Sequence, residues 1–167
     1  MFQESEWVDD NCLQLFTDAA GNKELGCGCY FNGQWACFKW PVNWEESTFK
    51  DITYLELVPI ILAFTLWSAD MKHKKILLRS DNLALVEILN KKSSKNKKVM
   101  QLIRQLVLLT LHNNIMIKSK HVSGKMNTIC DSISRFQFDR LFQVLPQSAM
   151  REPCSIPQEF LEIFEQK

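Results

Sequence analysis

Apolar and polar residues alternate from Cys12 onward. Cys12-Leu-Gln-Leu-Phe16 has the strand period and runs into Thr17-Asp18-Ala-Ala-Gly21, a turn-like close. Gly26 to Phe31 and Gln34 to Phe38 read as two strands joined at Asn32-Gly33, because both residues tolerate the positive φ of a two-residue hairpin. Trp40 to Lys50 holds a proline and mixed polarity and reads as loop. Thr53-Tyr-Leu-Glu56 has the form of a capping box ahead of a helix reaching about Met71. That helix is apolar nearly all round, as expected of one covered by other elements, and Pro59 near its first turn is expected to kink it. Lys75 to Ser80 is a short strand, Leu83 to Asn90 a short helix and Lys91 to Lys98 a polar loop. Val99 to Asn113 is a longer helix, with apolar Leu102, Ile103, Leu106 and Leu109. Ile115 to Val122 alternates as a fifth strand, and a last helix is expected over Ile129 to Phe138.

The element order βββαβααβα predicts an α/β fold. Its five-stranded mixed sheet is antiparallel at first and parallel later, with helices on both faces. From Leu141 on, Pro146, Pro153 and Pro157 mark an extended segment, with a short helix over about Gln158 to Glu165. The expected division is an N-terminal extension over 1–11, one domain over 12–140, and a peripheral C-terminal tail or linker over 141–167.

Composition adds bounds more than it adds function. The 167 residues suit one domain with a tail, and 46% hydrophobic with 23% charged residues is ordinary for a globular protein. A net charge of +1 gives no bulk electrostatic case for a nucleic-acid partner, so any such case must rest on a local patch. None of the six cysteines forms a C-x-x-C pair, which favours small buried hydrophobes in a reducing compartment over a zinc site or disulfide framework. The N-terminal residues have no signal-peptide h-region. The longest apolar run, Val58 to Trp67, is about half the ~20 residues a bilayer-spanning helix needs. The expectation is a soluble, intracellular protein, cytoplasmic or nuclear, without a membrane partner.

Four carboxylates fall at element ends. Asp18 closes the first strand, Glu56 opens the first helix, Asp81 closes the fourth strand and Asp131 lies in the last helix. Adjacent first and fourth strands would bring Asp18 and Asp81 together at the strand ends, where open α/β sheets carry their sites. Singly, each has an ordinary explanation: an Asx turn for Asp18, the capping box for Glu56, an N-cap for Asp81, an exposed helix position for Asp131. Jointly they suggest a cation site, since clustered carboxylates repel one another without one. All-oxygen donors favour Mg²⁺, with Mn²⁺ able to substitute, over zinc. Two such ions ~3.5–4 Å apart suit phosphodiester cleavage.

The fragments Phe16-Thr-Asp-Ala-Ala20, Tyr54-Leu-Glu-Leu57, Leu78-Arg-Ser-Asp-Asn82 and His121-Val-Ser-Gly-Lys-Met-Asn-Thr-Ile-Cys-Asp131 carry a resemblance. Together, over about residues 12 to 140, they resemble the ribonuclease H domains of retroelement reverse transcriptases, in particular those of DIRS-like, tyrosine-recombinase-encoding retrotransposons. There the pattern runs T-D-A, L-E-L, S-D-N and H-x-P-G-x-x-N-x-x-A-D-x-[LI]-S-R. The resemblance implies an RNase H-like fold that cuts the RNA strand of RNA–DNA hybrids with two Mg²⁺ ions. It implies a reverse-transcriptase polymerase domain, in the same or another chain, as partner. Asp18, Glu56, Asp81 and Asp131 match the metal-binding, catalytic carboxylates. His121, ten residues before Asp131, matches a mobile histidine that aids proton transfer or product release, and Asn127 matches the residue that shapes its loop. Ser123 stands where proline is usual and Cys130 where alanine is usual; neither removes an acid, and Ser123 is expected to loosen the histidine loop.

Lys91, Lys92, Lys95, Lys97 and Lys98 crowd eight residues. A charge run is ordinarily a solvated surface, yet cations ahead of a helix N-terminus oppose its dipole, so helix stability does not explain these. The resemblance implies that this loop lies where other ribonucleases H carry a basic, substrate-binding element, and phosphate contact is expected of it. Asn82 and Asn127 join the lysines as candidate nucleic-acid contacts, Asn82 with helix capping as its alternative. Trp35, Trp40 and Trp44 are expected in the core or at its rim. The competing function is an inactive or host-adopted RNase H-like scaffold. A three-acid transposase or integrase fits the His121 to Asp131 spacing poorly.

Overall fold

The computed structural model describes residues 13–164, so the expected extension over 1–11 lies outside it. The strands are β1 (Leu13–Ala19), β2 (Gly26–Phe31), β3 (Gln34–Lys39), β4 (Lys75–Ser80) and β5 (Met116–His121). They form one sheet in the order β3-β2-β1-β4-β5. β1, β2 and β3 pair antiparallel, and β1, β4 and β5 pair parallel, as the element order predicts. Asn32 (φ 50°) and Gly33 (φ 82°) make the hairpin turn between β2 and β3, both in the left-handed region.

The helices are α1 (Glu46–Phe49), α2 (Ile52–Met71), α3 (Leu83–Lys91), α4 (Lys97–His112), α5 (Thr128–Ser134), α6 (Phe138–Val144) and α7 (Gln158–Phe164), with a 3₁₀ turn at Gly124–Asn127. α2 lies on β1 and β2 and is covered in turn by α4. By length and composition α2 could cross a membrane, which the ten-residue estimate missed, but sheet and helices bury most of its side chains, including Leu57, Ile60, Ile61 and Phe64. Burial on all sides explains its all-round apolarity. α5 covers β1, β2 and β3, and a smaller cluster of Trp35, Ile133, Leu141, Leu145 and Ala149 fills that side.

Several expectations are corrected, the first being the Trp40 to Lys50 loop, which holds the short helix α1. Asp51 caps α2, its carboxylate accepting from the Tyr54 N–H at 3.1 Å, so Thr53 and Glu56 form no capping box. The break in α2 is at Trp67 (φ −116°, ψ 18°) and not at Pro59. Proline's fixed φ suits a helix, whereas the Thr65 hydroxyl bonds back to the Ile61 carbonyl at 2.7 Å, a contact that bends helices. The single last helix is two, because α5 ends at Ser134 and the chain reverses at Phe136 (φ 57°) before α6.

The C-terminal segment is not peripheral. The expected boundary at 140/141 cuts α6, whose Leu141 is fully buried. Met150 and Cys154 donate backbone bonds to Gly33 and Trp35. Phe160 and Phe164 of α7 then enter the main core, Phe160 meeting Phe38 edge-on with ring centroids 5.0 Å apart. Trp35 and Trp40 are buried and Trp44 stacks on Trp40, as expected of core tryptophans. Cys27, Cys29 and Cys130 are buried free thiols.

Candidate active site

Asp18 sits one residue before the end of β1, its Cα paired with Gly28 of β2. Because β4 lies parallel beside β1, Asp81, one residue past β4, arrives at the same sheet end. Glu56 reaches there from the second turn of α2. One carboxylate oxygen from each of Asp18, Glu56 and Asp81 lies within 4.8 Å of the other two. Asp18 is 5% and Glu56 4% exposed, and the Glu56 Oε2 atom has no hydrogen-bond partner.

Burial and like charge make this trio electrostatically costly. Burial, then the charges of Asp81 and Asp131, pushes the Asp18 carboxyl up to about 8. Burial, then Asp18 and Asp81, raises Glu56, and burial with Asp131 raises Asp81. The donors are all carboxylate oxygens, one of them a buried atom without a partner, so the trio fits a hard divalent cation.

Asp131 stands beside the trio. Burial would raise its carboxyl, but hydrogen bonds and charge from Arg140 and Arg135 outweigh that and hold it below the usual range. Arg135 Nε donates to Oδ1 at 3.1 Å and Arg140 Nη1 to Oδ2 at 2.7 Å. Packing fixes where α5 delivers it. A Cβ on Gly28 would sit 2.6 Å from Ile133 Cβ and nearer still to Cγ2, so only glycine lets α5 approach β2 this closely. Ser134 adds a bond from Oγ to Asp18 Oδ2 at 3.3 Å.

α5 then ends in a Schellman motif. The Gln137 N–H bonds the Ser132 carbonyl, and the Phe136 N–H bonds that of Ile133. Phe136 occupies the left-handed position where glycine is usual, at a cost of roughly 1–2 kcal/mol. This tight reversal is what returns Arg140 on α6 to Asp131 on α5.

The other candidates divide. His121, exposed at the end of β5, has Nε2 3.1 Å from the Asp81 carbonyl oxygen. A carbonyl only accepts, so Nε2 carries a proton there. Asn90 fixes this edge of the sheet, accepting from the Ser119 N–H and donating to the Ser119 carbonyl. Asn127 is 1% exposed and donates to the Thr17 carbonyl at 2.9 Å. Burial removes it from direct nucleic-acid contact and makes it a brace between the 3₁₀ turn and β1. Asn82 is the N-cap of α3, its side chain accepting from the Leu85 N–H at 3.0 Å, which leaves Asp81 clear of capping.

The five lysines are exposed, but only Lys95 lies in a true loop. Lys91 ends α3, Lys92 is its left-handed cap, and Lys97 and Lys98 open α4. Asn96 caps α4 and donates to Asp51 at 3.1 Å, tying this basic corner to the start of the helix that carries Glu56. Sequence reasoning missed Ser134, Arg135 and Arg140. The i, i+4 spacing of Asp131 and Arg135 was a readable signal. Arg140 had none, because its approach depends on the reversal at Phe136.

No family model matches the sequence, and no curated protein matches it significantly. Solved structures do. The RNase H1 of the halophilic archaeon Halobacterium salinarum NRC-1 shares 13% identity at TM-score 0.56, over 80% of this chain and 98% of that one. The fold is that of ribonuclease H. LC11-RNase H1, isolated from compost by a metagenomic approach, was solved in complex with an RNA/DNA hybrid. It shares 10% identity at TM-score 0.57, over 72% of this chain and 92% of that one. The N-terminal RNase H domain of Mycobacterium tuberculosis rv2228c shares 13% at 0.51, covering 78% and 97%. At these identities the correspondence with ribonuclease H is one of fold.

Proposed function

We propose that this chain is a metal-dependent endoribonuclease that hydrolyses the RNA strand of RNA–DNA hybrids, working beside a reverse-transcriptase polymerase domain of a retroelement. The observation that carries the reading is the buried convergence of Asp18, Glu56 and Asp81 within 4.8 Å at the carboxyl ends of β1 and β4. A ribonuclease H fold and a solved relative in complex with an RNA/DNA hybrid support the substrate. The retroelement context rests on the motif resemblance.

Asp18, Glu56 and Asp81, with Asp131 joining them, would hold two Mg²⁺ ions. Bound there, the ions supply an activated water and stabilisation for the leaving oxygen. The protein supplies the remainder. Glu56 and Asp18 shut bulk water out of the deep end of the site. His121, at the exposed mouth, holds a proton on Nε2 beside the Asp81 carbonyl and is placed to move one on or off Nδ1. The lysines flanking Asn96 take phosphates away from the cut.

Labelled RNA–DNA hybrid incubated with the protein and Mg²⁺ tests the reading, beside Asp81→Asn and an EDTA control. Asp81 is half-buried, less enclosed than Asp18 and Glu56, so substitution there disturbs the core least of the three. The expected result is internal cutting of RNA only, reduced on the order of a hundredfold or more in the variant and abolished by EDTA. Wild-type protein that binds hybrid tightly and leaves it whole would make this chain a scaffold.

A further inference from the structure

Both oxygens of Asp131 are held by guanidinium groups, one from each side of the α5–α6 reversal. These arginines are not buried braces, since their side chains are 49% and 43% exposed. Arg140 Nη1 also donates to Gln137 Oε1 at 3.0 Å, so it is aimed by two acceptors. Asp131 already lies against Asp18, so a divalent cation entering the trio competes with the guanidinium groups for the Asp131 oxygens. A guanidinium displaced in that contest would face solvent at the edge of the site, free to pair with another anion. Phe136 and the exposed Phe138 stack on each other in the same reversal, with ring centroids 6.2 Å apart.

We propose that Arg135 and Arg140 are exchangeable counter-charges. They hold Asp131 in the cation-free site, release it when a divalent cation enters, and then bind a phosphodiester of the hybrid next to the cut. The proposal rests on the ribonuclease reading for its substrate. A planar guanidinium pairs with a carboxylate or a phosphate through the same fork geometry, so one group can serve both partners in turn. Cation and hybrid are thereby coupled: each frees, or occupies, what the other needs.

The test uses Arg135→Gln, Arg140→Gln and the double variant, with Arg140→Lys retaining charge without the fork. Cation binding is measured by calorimetry with Mn²⁺ and no nucleic acid. Hybrid binding is measured by fluorescence anisotropy, once in EDTA and once in Ca²⁺. Expected is a two- to fivefold tighter Mn²⁺ affinity per arginine removed, the scale of an exposed ion pair. Hybrid affinity should stay nearly unchanged in EDTA and fall about tenfold in Ca²⁺, with the salt slope reduced by about one per arginine. Arg140→Lys should keep the salt slope but lose part of the affinity. Unchanged Mn²⁺ affinity would overturn the proposal. So would weaker binding of both ligands with a lowered melting temperature, which marks a merely structural role. A wild-type chain that binds no hybrid overturns the ribonuclease reading and the phosphate half, while the Mn²⁺ arm still reads the release of Asp131.

Discussion

Asp18 and Glu56 are carboxylates that the fold prefers protonated. The sign of the resulting pH dependence follows from Asp18, whose carboxyl is raised from 3.8 to about 8. Above pH 4 the unfolded chain releases this proton while the folded chain keeps it. The folded state therefore binds more protons, and stability falls as pH rises until the folded group ionises near pH 8. Glu56 and Asp81 are shifted in the same direction and add to the slope. In EDTA the melting temperature should be several degrees lower at pH 8 than at pH 5, a loss of roughly 2 kcal/mol at about 2–4 °C each. Asp18→Asn should flatten that slope. Millimolar Mg²⁺ should restore the wild type at pH 8, since a ligand that binds only the folded state stabilises it by mass action. Thermal unfolding at the two pH values checks all three, and a wild type equally stable at both would refute the electrostatic account of the site.

Among the elements, α5 depends most on a single residue of its neighbour. Gly28→Ala would force a methyl group against Ile133 and push the helix, with Asp131, off the sheet. Overpacking of this kind costs about 1–3 kcal/mol, read as a lower urea midpoint. Cleavage should fall further than that loss of stability accounts for. Ile133→Ala makes room for the methyl, so the double variant should cost less than the two single changes summed. The hairpin at Asn32-Gly33, β4 and the parallel pairing that joins Asp18 to Asp81 were legible in the sequence, because their signals are local: turn residues, alternation, a strand closing on an acid. The α5–α6 break was not. Phenylalanine gives no stop signal, and its left-handed conformation at Phe136 is imposed by the Schellman bonds and the packing of α6. Asn127 fits the loop-shaping role that the resemblance implies, and only the expected nucleic-acid contact misled. A polar residue in a functional motif looks like a contact until burial shows that it braces the Thr17 carbonyl. Asp51 was hidden as the α2 cap because Thr53 and Glu56 offered a better-known pattern.

For the whole molecule, the core and the proposed substrate grip are organised separately. The core extends through α7, so Phe160→Ala should cost about 3–5 kcal/mol by chemical denaturation, although Phe160 lies in what reads as a proline-rich tail. The grip cannot come from overall charge, which is only +1. On the proposed reading, it comes from where the cations are. Lys91, Lys92, Lys95, Lys97 and Lys98 project from the exposed corner between α3 and α4, and the Asn96–Asp51 bond holds that corner to the start of α2. None of them belongs to the carboxylate trio, so their contribution should appear in binding and not in chemistry. Replacing all five with glutamine should weaken hybrid binding at physiological salt and lower the slope of log affinity against log salt by up to about one per phosphate lost. Single-turnover cleavage of hybrid bound at saturating protein should remain close to that of the wild type. A slope that does not change would mean that these lysines are only a solvated face, and the backbone would then be gripped chiefly from the Arg135–Arg140 side of the site.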